Sequence, residues 1–220
     1  MENRAVVLLS GGIDSSVCLY IAKKQGFLPF LLSFDYGQRH KKELASARKI
    51  AEKLGLDIVV VKLKLPWLSS SLIDKNKSLF TREKIDTNII PQTYISARNL
   101  IFLSIAVSYA EEISAKSIFV GANTIDFSGY PDCRDEFLES FFETARLGTK
   151  AGITEYPISI ERPLINKSKK EIILLGKELS VPFELTWSCY KGEKKPCNEC
   201  ESCIIRKKGF SSAGITDPLS

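Results

Sequence analysis

The sequence holds a single histidine, His40, so no Ser-His or Cys-His hydrolase can be built around a second one. It contains no Gly-Lys-Ser/Thr tripeptide, which excludes a Walker A loop, and no Gly-x-Gly-x-x-Gly dinucleotide pattern. Long apolar runs are missing. The longest, such as residues 5–9, fall far below the ~18 residues of a membrane span. The opening Met-Glu-Asn-Arg leads into only that short run, with no small-residue cleavage site, so a cytoplasmic chain without a secretory signal is expected. No internal repeat or low-complexity tract is present.

Hydrophobic residues nonetheless make up 44% of the chain and charged residues 26%, with 12 Phe against 2 Trp. That is enough core-forming material to exclude disorder for the bulk. At 220 residues the chain suits one domain, or one plus a small appendage. The formal charge of +5, from 31 basic and 26 acidic residues, permits an anionic ligand but does not by itself indicate nucleic-acid binding.

Periodicity organises the chain. Residues 5–9 are continuously apolar, as in a strand buried on both faces. A helix over 15–24, a strand over 28–34, an amphipathic helix over 41–54 and a strand over 57–62 follow. This β-α-β-α-β order predicts a parallel sheet with helices on both faces. Residues 65–92 lack a clean period and are too long for an ordinary loop, as lids and binding loops often are. A helix is expected over 97–113 with Leu100, Leu103, Ile105 and Ala106 inward. Strands follow over 117–120 and 156–160, with a helix over 137–147 between them. Ser168-x-x-Glu171 is a capping-box pattern opening a helix over 168–179. Beyond Thr186 the composition shifts to Cys, Lys, Glu and Gly.

Ser10-Gly-Gly-Ile-Asp-Ser15 lies between the first strand and the first helix. In open parallel sheets, ligands bind at the carboxyl ends of strands. Two glycines allow close backbone approach to an anion, and the free N–H groups of the first helical turn bind phosphate. Ser10, Ser15 and Ser16 add hydroxyl donors. A carboxylate beside phosphates repels them unless a cation intervenes, so Asp14 suggests Mg²⁺ between the two and a carboxylate that serves the metal, not the core. The plainer reading is a tight turn that uses glycine for its geometry, but such a turn does not need this whole set of residues.

Cys189, Cys197, Cys200 and Cys203 form C-x7-C-x2-C-x2-C. Four thiolates are a common structural zinc set that leaves no open coordination position. An iron–sulfur cluster is the alternative with the same ligands. Four thiolates with one Zn²⁺ lower the formal charge to about +3. Cys18, among apolar residues, reads as a small core residue. Cys133 is open between a chemical thiol and a packed one.

Three longer stretches carry a resemblance: Phe34-Asp-Tyr-Gly-Gln-Arg-His40, Asp126-Phe-Ser-Gly-Tyr-Pro-Asp-Cys-Arg134 and Thr186-Trp-Ser-Cys-Tyr190. With the Ser-Gly-Gly loop, which resembles the pyrophosphate loop of the N-type ATP pyrophosphatases, they are similar to the 7-cyano-7-deazaguanine (preQ0) synthase family of the queuosine pathway. The match spans nearly the whole chain. Ser96 stands where the family usually has Pro, Ala97 where it usually has Gly, and Asn198 replaces a common Gly between two cysteines.

The resemblance implies an α/β, adenine nucleotide alpha hydrolase-like domain over 1–186, with a zinc-binding segment over 187–220 packed on it. It implies ATP along Leu9, Ser10, Gly11, Gly12, Ile13, Asp14, Ser15, Ser16, Val17, Cys18 and Leu19. Asp14, Ser15, Arg98 and Lys169 are the implied catalytic residues, and Asp126, Tyr130, Asp132 and Arg134 the implied substrate contacts. Asp132 is equally readable as a helix N-cap, Tyr130 as turn packing, Arg98 and Lys169 as solvated residues, and His40 as a surface residue after a turn. The implied reaction is ATP-driven conversion of 7-carboxy-7-deazaguanine and ammonia to the nitrile. Its implied partners are small molecules, with no nucleic acid and no membrane, in a homodimer. Two rivals remain. A tRNA-thiolating pyrophosphatase needs a reactive thiol and an RNA surface. A non-enzymatic zinc module leaves the long region before the cysteines without a role.

Overall fold

The computed structural model describes residues 2–74, 76, 77, 79, 90–125, 129–154 and 156–220. Five strands form one parallel sheet: β1 (Arg4–Leu8), β2 (Leu28–Asp35), β3 (Ile58–Lys62), β4 (Ser117–Phe119) and β5 (Ser159–Glu161), in the order β3-β2-β1-β4-β5. The chain first winds outward from β1 through β2 to β3, then crosses back to β4 on the other side of β1. This reversal opens a crevice at the carboxyl ends of β1 and β4, the place where such sheets take ligands.

Two buried clusters flank the sheet because β1 alternates its side chains between faces. Ala5 and Val7 join one cluster with helices α1 (Ile13–Lys24), α2 (Lys42–Lys53), α5 (Lys169–Glu178) and α6 (Glu201–Ala213). Val6 joins the other with α3 (Arg98–Glu112) and α4 (Asp135–Gly148). The expected strands and helices are all present, with shifted ends. Leu100 is a correction: it is 45% exposed, because the buried stripe of α3 runs through Leu103, Ala106, Val107 and Ala110. The capping box of α5 forms as read, Ser168 accepting from the Glu171 N–H.

The cysteine segment is not a separate body. It ends in a helix, α6, that composition did not announce. Phe210 of α6 is buried edge-on against Phe183 in the first cluster. Arg206, 4% exposed, donates to both Asp217 oxygens at 2.8 Å and to Thr186 Oγ1 at 2.8 Å. A buried guanidinium needs such a set of acceptors.

Gly11 shows how tightly the first loop is seated. Its φ is +90, and a Cβ there would lie 2.1 Å from the Glu43 carbonyl oxygen and 2.7 Å from the Ala47 nitrogen. Replacing Gly11 with alanine should therefore cost roughly 2 kcal/mol or more, from a left-handed backbone plus a clash with main chain. A urea melt of Gly11→Ala checks this; an unchanged midpoint would show that the loop can lift off α2.

Candidate active site

The crevice is walled by Leu9, Ser10, Gly12, Ile13, Asp14 and Ser15 from the first loop and by Leu32, Ser33 and Phe34 from the end of β2. His40, Glu43, Arg98, Tyr130, Cys133 and Lys169 complete it, with Trp187, Ser188, Tyr190 and Arg206 from the tail. No side chain caps α1, whose first turn forms part of this wall. An uncapped helix start with its positive dipole end is an anion site.

The loop is held from within. Ser15 Oγ receives the Ser10 N–H at 3.2 Å and meets Ser10 Oγ at 2.9 Å, while Ser16 Oγ donates to the Gly12 carbonyl at 2.7 Å. Gly121, at the end of β4, lies so close that a Cβ would sit 3.0 Å from the Asp14 carbonyl carbon. Val17, Cys18 and Leu19 are fully buried beneath the loop and do not reach the cleft. Cys18 is the core residue expected: burial pushes its thiol well up, the Asp14 charge adds to this, and it donates to the Val120 carbonyl at 3.5 Å.

Asp14 has a different partner from the one its sequence context suggests. Lys169 Nζ donates to its two oxygens at 2.7 and 2.8 Å, and the two side chains are only 15% and 9% exposed. The cation that meets Asp14 here is thus an ammonium from α5. The carboxylate serves the core as well as the loop.

Arg98 opens α3 and lies over the Phe102 ring at 6.0 Å. Phe102 stacks on Phe34, with ring centroids 3.8 Å apart and planes within 5°. Ala97, just before Arg98, has φ 53, and Asn198 in the cysteine segment has φ 60. These are the two positions where the family usually carries glycine, and both need a left-handed backbone, which asparagine tolerates better than alanine.

Asp132 is 6% exposed and does not line the cleft. Its Oδ2 accepts the Asn99 N–H at 2.9 Å, so it caps α3 from across the fold, and not the helix that follows it. Its other oxygen, Oδ1, is buried without a partner among the described residues. Arg134 is exposed at the start of α4, outside the wall. Asp126 lies outside the described residues. Tyr130 does face the cleft; burial pushes its phenol up to about 12, and its hydroxyl meets Thr93 Oγ1. Cys133 Sγ accepts from Asn99 Nδ2 at 3.2 Å, and burial pushes this thiol up to about 11, away from nucleophilic use. His40 is half-buried in the wall; a Cβ on Gly192 would lie 2.3 Å from its own Cβ, so it is wedged against the cysteine segment.

Glu43 is a wall residue that sequence reading passed over, because on an amphipathic helix it looks like a solvated position. Burial pushes its carboxyl up to about 7, Arg98 opposes this, and Cys189 adds to it.

The four sulfurs of Cys189, Cys197, Cys200 and Cys203 lie within 4.8 Å of one another, with Cys197 and Cys203 at 4.0 Å. A zinc tetrahedron with ~2.3 Å bonds has edges of about 3.8 Å, so the set fits the ion with slight contraction. The N–H groups of Cys197 and Cys200 point at sulfur, each at 3.4 Å, as around thiolates. The cluster is tied to the loop: the Trp187 N–H donates to the Gly11 carbonyl at 2.9 Å, and Trp187 Nε1 to the Cys189 carbonyl at 2.9 Å.

The sequence profile of the family described as "Queuosine biosynthesis protein QueC" matches residues 4–214. The chain belongs to the QueC family. A relative from Thermoplasma volcanium, named 7-cyano-7-deazaguanine synthase, is 49% identical over 100% of this chain and 91% of its own length. Another of that name, from Acetivibrio thermocellus, is 49% identical over 98% of this chain and 96% of its own. This QueC chain is therefore an enzyme of queuosine precursor synthesis. Among solved structures, an NMN synthetase from Francisella tularensis superposes with a TM-score of 0.52 at 19% identity, covering 98% of this chain and 78% of its own. That likeness is one of fold, the adenine nucleotide alpha hydrolase type.

Two outcomes follow from this geometry. Asp14→Asn and Lys169→Met should each lower stability by about 3 kcal/mol, because each strands a buried charge, whereas the double variant should recover much of the loss. Denaturant melts of the three variants check the cycle; purely additive losses would mean the two groups act independently. Protein purified without chelators should carry one zinc or iron equivalent per chain, and Cys203→Ser should lose it with a drop in melting temperature. Elemental analysis below half an equivalent would remove the metal.

Proposed function

We propose that the chain converts 7-carboxy-7-deazaguanine and ammonia to 7-cyano-7-deazaguanine, driven by ATP cleavage between the α and β phosphates. The observation that carries this reading is the uncapped start of α1 beside the Ser10–Ser16 loop, opening into the same cleft as Arg98. Phosphates lie on the loop, with Ser10 and Ser15 as hydroxyl donors; Ser16 Oγ is turned to the Gly12 carbonyl and Lys169 to Asp14, so the N–H groups of the first α1 turn supply the attraction. Arg98 holds the substrate carboxylate through its planar fork. Tyr130 borders the base.

A carboxylate is a poor electrophile, because its charge repels nucleophiles and oxide leaves badly. Attack of its oxygen on the α-phosphorus expels pyrophosphate and forms an acyl adenylate. Ammonia then adds to the acyl carbon; AMP and a proton leave, and the amide remains. The amide oxygen attacks a second ATP and expels pyrophosphate. Loss of AMP and the two nitrogen-bound protons then gives the nitrile. The protein supplies no covalent nucleophile in this scheme, only alignment and charge neutralisation. The metal supplied to the four thiolates has a structural role, since no coordination position is left open. The acceptor is the free base and not tRNA, since +5 over 220 residues is a small charge with which to hold a polyanion at physiological salt. A cytoplasmic homodimer completes the reading.

Incubation with ATP, ammonium and the carboxy-deazaguanine should yield the nitrile by mass, with roughly two AMP and two pyrophosphate per nitrile. The amide supplied alone should need one ATP. ADP as the dominant product would overturn the mechanism.

A further inference from the structure

Two carboxylates line the cleft among the described residues, Asp14 and Glu43. Asp14 is already held by Lys169 through both oxygens. Glu43 stands in the first turn of α2, and its side chain forms no hydrogen bond or ion pair among the described residues. Its place is fixed from behind, because its own carbonyl packs on Gly11. A wall carboxylate with no donor carries a desolvation cost that a ligand bearing N–H groups relieves.

Around it the wall is rich in aromatic rings: Phe102, stacked on Phe34, lines the cleft together with Tyr36, Tyr130 and Tyr190. Arg98 shares this part of the cleft and is close enough to act on the Glu43 charge without pairing with it. One negative and one positive group thus face the same space. Asp132, the other carboxylate of this region, lies outside the wall with one oxygen on the Asn99 N–H.

We propose that Glu43 is the specificity residue for the deazapurine: its two oxygens take the ring N1–H and the 2-amino group of a guanine-type edge, while Arg98 takes the carboxylate at the other end. This rests on the reaction proposed above. The polarity of this pair of charges then fixes orientation, since the reversed ring sets carboxylate against carboxylate. It also separates the two bases that meet in one cleft. Adenine has no neighbouring pair of N–H donors on one edge, so the base of ATP gains nothing at Glu43. Sites built to bond an N–H reject analogues that lack it.

The test uses the full chain as wild type and as Glu43→Gln. Calorimetry measures binding of 7-carboxy-7-deazaguanine and of its analogue without the 2-amino group, and steady-state assays give KM for ATP. Wild type should prefer the full substrate by at least roughly tenfold. Glu43→Gln should weaken that substrate roughly 10- to 100-fold, erase the preference and leave the KM for ATP within about threefold. If the glutamine variant unfolds, Glu43→Asp replaces it and should weaken the substrate while keeping the preference. Unchanged substrate binding, or an effect confined to ATP, overturns the assignment. Wild type that forms no nitrile fails the reaction itself, whereas wild type that forms it beside an unaffected variant fails Glu43 alone.

Discussion

The ion pair between Asp14 and Lys169 sets the relation between the first and the fifth helix. Burying two charges is expensive, and the attraction repays it only with good geometry. Here one ammonium reaches both carboxylate oxygens, at 2.7 and 2.8 Å. The first turn of α1 and the first turn of α5 must therefore stay in register. Small residues allow this. A Cβ on Gly209 of α6 would lie 2.3 Å from Lys169 Cγ, so α6 lies directly on the lysine stem. A Cβ on Gly176 would meet Phe183 at 2.5 Å and Val17 at 2.9 Å. Three helices close around one pair, and the pair itself is neutral, which leaves the N–H groups of α1 as the attraction for an incoming anion.

The tail is part of the site, not an ornament on it. Trp187, Ser188, Tyr190, Ser202, Ile205 and Arg206 all contribute wall. Lys42 Nζ sits 4.2 Å above the Trp187 ring, adding a cation–π contact between α2 and the strap before the cysteines. The four-cysteine cluster is thus joined to residues that shape the cleft.

Much of this was legible in the sequence, for reasons that differ by element. The strands of a parallel sheet buried on both faces are near-continuous apolar runs, so β1 and β2 announce themselves. The capping box of α5 is a local hydrogen-bond pattern, hence readable from four residues. Spatial partners were not readable. Nothing near Asp14 in sequence points to Lys169, and nothing near Asp132 points to Asn99, so a cap for α3 reads as a cap for α4. Leu100 fits the helical period but falls on the edge of the stripe. Glu43 looks solvated on its own helix, and only the arrival of the tail and α3 encloses it. The alanine that stands for the family's usual glycine at residue 97 is visible as a departure, yet its meaning comes from φ 53.

The Trp187 N–H on the Gly11 carbonyl has a temporal side. Trp187 is synthesised long after Gly11, a delay on the order of ten seconds or more at ordinary elongation speeds. During that interval the nascent sheet can assemble, but the loop has neither its strap nor the lysine that neutralises Asp14. A chain made only this far therefore has the sheet but not the restraints that hold the shape of the loop.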